Sequence, residues 1–333
     1  MFLEKEGKLI YSYDGETVCI EAWGKDALRV RATKNRSFTG RDWALEAKDA
    51  HAGEVEIFED PSAKGGAFAN MYEGTDTSYG KITNGKLHAV IDSGSVITFY
   101  HEDGRVLLKE HFRRLRDEES MPLNIMGREY SNGVGDNFRI VARFVARKGE
   151  KIFGMGQYQQ HELDLKGCML ELAQRNSQVS VPFYLSSIGY GFLWNNPGVG
   201  QVMFANNGTE WVTESGKEID YLVIAGDTPA EIEENYMTLT GKPPMMPEYG
   251  MGFWQCKLRY WNQEQLLSVA RKYKELGVPL DVIVVDFFHW TKQGEFKFDP
   301  KYWPDVPGMC RELKEMGIQV VVSVWPTVDI YSE

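Results

Sequence analysis

Cysteine is scarce and scattered in this 333-residue chain: Cys19, Cys168, Cys256 and Cys310 stand far apart, with no C-x-x-C pair and no histidine at metal-ligand spacing. This excludes a disulfide framework and a local zinc site, so the thiols read as free and no metal or cofactor is implied. Long apolar runs are missing too. None reaches the roughly 18 consecutive residues that a membrane-spanning helix needs, which argues against a membrane partner. The start, Met1-Phe2-Leu3-Glu4-Lys5-Glu6-Gly7, passes straight into charge without the apolar stretch of a secretory leader, and a cytoplasmic location is expected. Positive charge is in deficit. With 37 Lys and Arg against 48 Asp and Glu, the net charge of −11 repels phosphates at long range and disfavours nucleic acid. The remaining composition, 43% hydrophobic and 26% charged residues, describes a globular protein long enough for two domains.

Residues 251–326 read strand, helix, strand, helix, strand. Asn262 with Gln265 forms a capping-box pattern, and Leu266, Ala270 and Tyr273 recur at helical spacing before Gly277. Asp305 and Pro307 open a second helix with an inner stripe of Met309, Leu313 and Met316, and Gly317 supplies a left-handed stop. Residues 280–288 and 318–324 are nearly continuous apolar runs, as expected of parallel strands covered by helices. The alternation of these elements predicts the start of a parallel α/β barrel, whose active site is built at the C-terminal ends of the strands.

The first 230 or so residues have another texture. Short alternating runs, 10–13, 18–22, 27–32, 85–92, 96–101, 139–146, 181–186, 191–195 and 221–225, are separated by turn signals such as Asp14-Gly15, Asn84-Gly85 and Asp103-Gly104. These predict a large antiparallel β-sandwich. Thr228-Pro229 starts a helix, and Pro243, Pro244 and Pro247 stiffen the chain beyond it. The expected division is a β domain over 1–230, a helix and proline-rich linker over 231–247, and the barrel segment over 248–333.

At the strand ends, Phe253-Trp254-Gln255-Cys256-Lys257, Asp286-Phe287-Phe288-His289-Trp290 and Trp325-Pro326 combine a carboxylate with flat apolar rings. A sugar needs both, hydroxyl acceptors and faces on which C–H groups stack. Asp286 leads the candidates, since a carboxylate at the end of an apolar parallel strand is poorly explained as core. Packing or charge pairing of the same residues is the competing reading. Cys256 also lies at a strand mouth, but no neighbouring histidine activates it.

The chain resembles the N-terminal portion of glycoside hydrolase family 31, the α-glucosidase and α-xylosidase family. The resemblance rests on Phe153-Gly154-Met155-Gly156-Gln157, on Val181-Pro182-Phe183-Tyr184-Leu185-Ser186-Ser187 with Gly189-Tyr190-Gly191, and on Gly252-Phe253-Trp254-Gln255. It continues through Gly277-Val278-Pro279-Leu280-Asp281 into Asp286, Phe298-Asp299-Pro300, Trp303-Pro304-Asp305 and Ser323-Val324-Trp325-Pro326. These motifs fall in the family's order over most of residues 150–333.

The resemblance implies a galactose-mutarotase-like sandwich followed by strands one to three of a (β/α)8 TIM barrel. It implies retaining hydrolysis of an α-linked oligosaccharide by two carboxylates, both expected beyond Glu333, so that no catalytic residue is assigned within the chain and inactivity alone is expected. Asp286 matches the family aspartate that binds sugar hydroxyls, and Phe288, Trp290, Trp254, Lys257 and Trp325 are expected to line the same pocket. Trp325 stands two residues out of register with the family tryptophan relative to the shared proline. The segments around Trp254, Asp286 and Trp325 look more like the α-xylosidase branch than the maltases, with α-glucosidase as the alternative. Three strands of eight would leave an uncovered edge, so self-association into a homo-oligomer or aggregation is expected of such a fragment. Two further classes remain open: a carbohydrate-binding module without turnover, and an aldose epimerase using His88, His101, His111 or His161.

Overall fold

The computed structural model describes residues 1–58, 78–111, 113–115 and 123–333. The chain divides into two compact units, Met1–Lys242 and Pro243–Glu333.

In the first unit, a nine-stranded sheet runs in the order Phe2–Lys5, Lys8–Tyr13, Glu16–Trp23, Ala27–Thr33, Ile219–Ala225, Tyr190–Trp194, Val179–Ser186 and Ile152–Gln157, with Ala50–His51 paired to Glu16–Trp23. A five-stranded sheet of Arg128–Asn132, Phe138–Phe144, Gly208–Gly216, Gly200–Ala205 and Met169–Leu172 packs on it, and a second five-stranded sheet spans Glu54–Phe58 to Val106–Lys109. The pairings are antiparallel, as hairpin connections require. Asp14 (φ 48°) and Gly15 (φ 73°) are both left-handed, which a two-residue type I′ turn demands, and they set the register Tyr13 opposite Glu16.

Inward-facing rings cement the sandwich. Trp211 of the five-stranded sheet stacks on Phe192 of the nine-stranded sheet at 5.2 Å, and Phe144 meets Tyr221 edge-on at 5.4 Å. Each such pair adds about 0.5–1.5 kcal/mol beyond its burial. The glycines of Ile152–Gln157 have a geometric purpose. Gly154 (φ 116°), Met155 (φ 68°) and Gly156 (φ 90°) form a bulge against Val179–Ser186, and a Cβ on Gly156 would lie 2.2 Å from the Val179 carbonyl oxygen.

The core also contains charge. Arg29, 0% exposed, donates from Nε to Asp220 Oδ1 at 3.0 Å and from Nη2 to Asp220 Oδ2 at 2.7 Å, while its Nη1 reaches Asp42 Oδ1 at 2.7 Å. Burial pushes the Asp220 carboxyl up to about 6, against the pull of the guanidinium.

Helix Pro229–Thr240 begins as expected, with Thr228 Oγ1 accepting from Glu231 N at 3.2 Å. This helix lies within the first unit. Its Ile232 and Leu239 are buried with Trp23, Phe183, Leu193, Leu222 and Ile224, and Tyr236 stacks on Phe183 at 3.8 Å.

The second unit carries a parallel sheet of Trp254–Gln255, Val282–Val285 and Gln319–Val322. Helix Gln263–Glu275 is capped by Asn262 Oδ1, which accepts from Gln265 N at 2.9 Å, while Gln265 Oε1 accepts from Trp261 N at 2.7 Å. Helix Val306–Glu315 is capped by Asp305 Oδ1, which accepts from Gly308 N at 2.9 Å. Leu266, Ala270, Met309 and Leu313 bury the helix faces against Ile283 and Val285. At the base of the sheet, Asp281 Oδ2 accepts from Phe253 N at 2.9 Å and the Asp281 carbonyl accepts from Gln319 N at 2.8 Å, tying all three strands together. Gly252 lies so close that a Cβ there would fall 2.2 Å from Asp281 Cγ. No helix among the described residues is long and apolar enough to cross a membrane.

Replacing Arg29 by Met should cost about 3–5 kcal/mol, because Asp220 is left buried without its counter-charge. Urea unfolding at pH 7 measures this, and a change below about 1 kcal/mol would refute a structural role for the pair.

Candidate functional site

Alternation along Val282–Val285 decides what the sheet presents. Ile283 and Val285 turn toward the helices, so Val284 and Asp286 fall on the opposite face. Asp286 Oδ1 accepts from the Phe287 amide at 2.8 Å, and Oδ2 lies 3.9 Å from Cys256 Sγ. Burial first, and the Asp286 charge second, push the Cys256 thiol up, so it stays protonated.

The aromatic residues separate into two groups. Phe287 stacks on Trp325 at 4.8 Å and tilts against Phe288 at 4.3 Å, which brings Trp325 beside the Asp286 turn. Phe288 and Trp290, 6.2 Å apart, instead line a cleft of about 410 Å³ with Arg259, Trp261, Asp299 and Asp329. This volume lies in the range of small-ligand sites. Phe288 has φ 67°, a strained conformation for an aromatic residue, and its ring is half exposed. Arg259 holds it there, donating from Nη1 to the Phe288 carbonyl at 3.2 Å while its guanidinium stands 5.0 Å over the Phe288 ring and 4.1 Å over Trp261.

Two expected residues stay apart from this cleft. Trp254 donates from Nε1 to the Gly250 carbonyl at 3.2 Å, and the Lys257 ammonium rests 5.7 Å from the Tyr260 ring. Trp290 is more enclosed than a free pocket wall, at 7% exposure.

Sequence reasoning missed the residues that shape the turn. His289, buried, shares a hydrogen bond between its Nδ1 and the Asp286 carbonyl at 3.1 Å, and its own carbonyl accepts from Asp299 N at 2.8 Å. Burial lowers its pKa, which favours a neutral imidazole. Glu295, also buried, accepts from Thr291 Oγ1 and from Lys292 N, closing the next turn. Arg259, Trp261 and Asp329 enter through loops with no local pattern; the only signal is the basic and aromatic run after Lys257. Among the histidines of the first unit, His101 contacts Asp103 and Asp227, and His88 stacks on Tyr100.

The chain matches two family models, the family 31 N-terminal galactose mutarotase-like domain over residues 17–202 and the family 31 TIM-barrel domain over residues 243–333. It is 42% identical, over 99% of its length and 61% of the relative's, to an uncharacterized family 31 glucosidase, ORF2, of Pseudescherichia vulneris. It is 37% identical to an alpha-xylosidase of Saccharolobus solfataricus, over 57% of this chain and 28% of that one. The crystal structure of a family 31 alpha-xylosidase from a soil metagenome, complexed with xylose, superposes with a TM-score of 0.87 at 45% identity, covering 100% of this chain and 48% of that one. The chain thus spans from 28% to 61% of the length of these relatives.

Because the Asp286 charge helps to hold the Cys256 thiol protonated, Asp286→Asn should raise the rate of Cys256 alkylation by iodoacetamide at pH 7.5 several-fold, up to about tenfold per unit of lowered pKa. Peptide mass spectrometry, with Cys310 as internal reference, measures this; an unchanged ratio would separate the two side chains.

Proposed function

The chain belongs to glycosyl hydrolase family 31, and from that premise we propose that its second unit forms the sugar-binding part of a retaining α-xylosidase, which releases terminal α-linked xylose from oligosaccharides. The observation that carries this reading is Asp286 at the end of the central parallel strand, with one carboxylate oxygen fixed by a backbone amide and the Phe287–Trp325 stack beside it. A carboxylate so held accepts hydrogen bonds from vicinal hydroxyls without reorganising, and the rings receive the apolar sugar face. Phe288 and Trp290 extend the binding surface into the adjoining cleft, and Trp325 borders Asp286 through Phe287; Trp254 and Lys257, which lie apart from that cleft, would reach the sugar only from the first-strand loop.

Retaining hydrolysis requires a nucleophilic carboxylate and an acid/base carboxylate about 5–5.5 Å apart, one with a raised pKa. The parallel sheet here has three strands, and we assign the pair to barrel segments outside these 333 residues. On this reading the chain alone binds sugar without turning it over, and the whole protein supplies the chemistry. Xylose is preferred over glucose because relatives named alpha-xylosidase recur among the matches, at 37% and 45% identity. An α-glucosidase is the second reading, favoured by the 42% identical relative named as an uncharacterized family 31 glucosidase. One CH2OH group separates the two substrates, a difference of about 1–3 kcal/mol in an apolar pocket.

Release of 4-nitrophenol from its α-xyloside and α-glucoside tests the proposal. A longer protein containing this chain should turn over the xyloside faster, by about 10- to 200-fold, and the 333-residue chain should turn over neither; hydrolysis by the short chain would overturn the assignment of the catalytic pair. In the longer protein, Asp286→Asn should lower kcat/KM about 10- to 150-fold, the equivalent of about 1.5–3 kcal/mol for a charged hydrogen-bond partner.

A further inference from the structure

A cleft of about 840 Å³ lies at one end of the first unit's sandwich, where the segment 35–43 meets the turns at 136–137, 196–198 and 217–218. The segment is held from beneath by buried polar groups. Arg29 donates from Nη1 to Asp42 Oδ1 at 2.7 Å and from Nη2 to the Arg41 carbonyl at 2.9 Å. Asn195, 3% exposed, donates to the Asp42 carbonyl at 3.1 Å and accepts from Ala44 N at 3.3 Å. Glu218, 4% exposed, accepts from Thr39 N at 2.9 Å and Thr39 Oγ1 at 2.8 Å.

This scaffold fixes Trp43 at φ 53°, a left-handed conformation that costs a bulky residue strain. Yet the Trp43 ring is 46% exposed, so little packing is gained in return. A rigid loop that holds a strained tryptophan half in solvent, at the wall of the cleft, has the character of a pre-organised binding platform.

We infer that this cleft is a second saccharide site, separate from Asp286, which takes a neutral oligosaccharide with Trp43 as the stacking surface. Its chemistry matches such a ligand. The Arg41 guanidinium stands over one face of the Trp43 ring, 5.4 Å from its centroid, so the stacking surface is the opposite face, and Asn137, Asn196 and Ser215 add neutral donors and acceptors along the wall. Charge in the cleft is nearly balanced, because Arg36, Arg41 and Lys217 face Asp136 and Glu218, with Lys217 already paired to Asp136 at 2.7 Å. A balanced, amide-rich wall offers no strong field to an anion but many partners to hydroxyls.

The test titrates the full chain with maltotetraose, cellotetraose and xylotetraose, following tryptophan fluorescence and ligand-observed NMR. At least one should bind saturably to the Asp286→Asn chain, in which the barrel-side sugar contact is removed, and Trp43→Ala added to that chain should weaken the binding at least tenfold. Far-UV circular dichroism confirms that the variants fold, and Arg36→Ala, at an exposed position, should weaken binding two- to fivefold as an independent check. No binding of any of the three to the Asp286→Asn chain, or binding to that chain that survives Trp43→Ala, would each overturn the inference. Because equilibrium binding at Trp43 is read, the result stands or falls apart from any hydrolysis at the barrel.

Discussion

A parallel strand covered by helices has one free face and one free end, and the second unit depends on that constraint. Ile283 and Val285 are committed to the helix side, where they meet Leu266, Ala270, Met309 and Leu313. A charged group can then stand on the strand only on the other face and only where the hydrogen-bonded ladder stops. Asp286 meets both conditions. The turn after it is stiffened by His289 and Glu295 rather than by apolar packing alone, so the position of the carboxylate results from backbone hydrogen bonds that close immediately behind it.

The same principle operates with different parts in the first unit. Its sheets pack through stacked rings, but the loops at one end are set by Arg29, Asn195 and Glu218, whose hydrogen-bonding capacity is spent on the chain around Asp42 and Thr39. Buried polar groups specify a conformation in a way that interchangeable apolar contacts do not, because each leaves an unmet donor or acceptor if the loop shifts. Placement of Trp43 thus traces back to residues distant in sequence, among them Asp220, 191 positions from its partner Arg29.

How much was legible in the sequence depended on how local the physics was. The caps at Thr228, Asn262 and Asp305 were readable because a side-chain oxygen meets an amide three residues ahead. Strands such as Lys8–Tyr13 and Leu87–Asp92 were readable from period two, whereas Ile152–Gln157 was not, since the bulge at Gly154 and Gly156 breaks the alternation. Asp286 stood out at the end of an apolar run. Arg259, Trp261 and Asp329 did not, because they converge on Phe288 and Trp290 through loops whose paths no short-range pattern encodes. From its own residues the helix Pro229–Thr240 reads as a connector, since they form only a weak apolar stripe; its anchoring comes from Phe183, Leu193 and Leu222, all supplied by the sheet.

The contact between Gly252 and Asp281 bears on how this sequence can change over time. The Asp281 carboxylate occupies the space a side chain at 252 would need, and it does so to reach the Phe253 amide. Neither position can vary alone: a larger residue at 252 evicts the carboxylate, while loss of the carboxylate frees the space and strands the amide. The two sites should therefore drift as one unit across descendants of this chain, with glycine at the first wherever aspartate persists at the second.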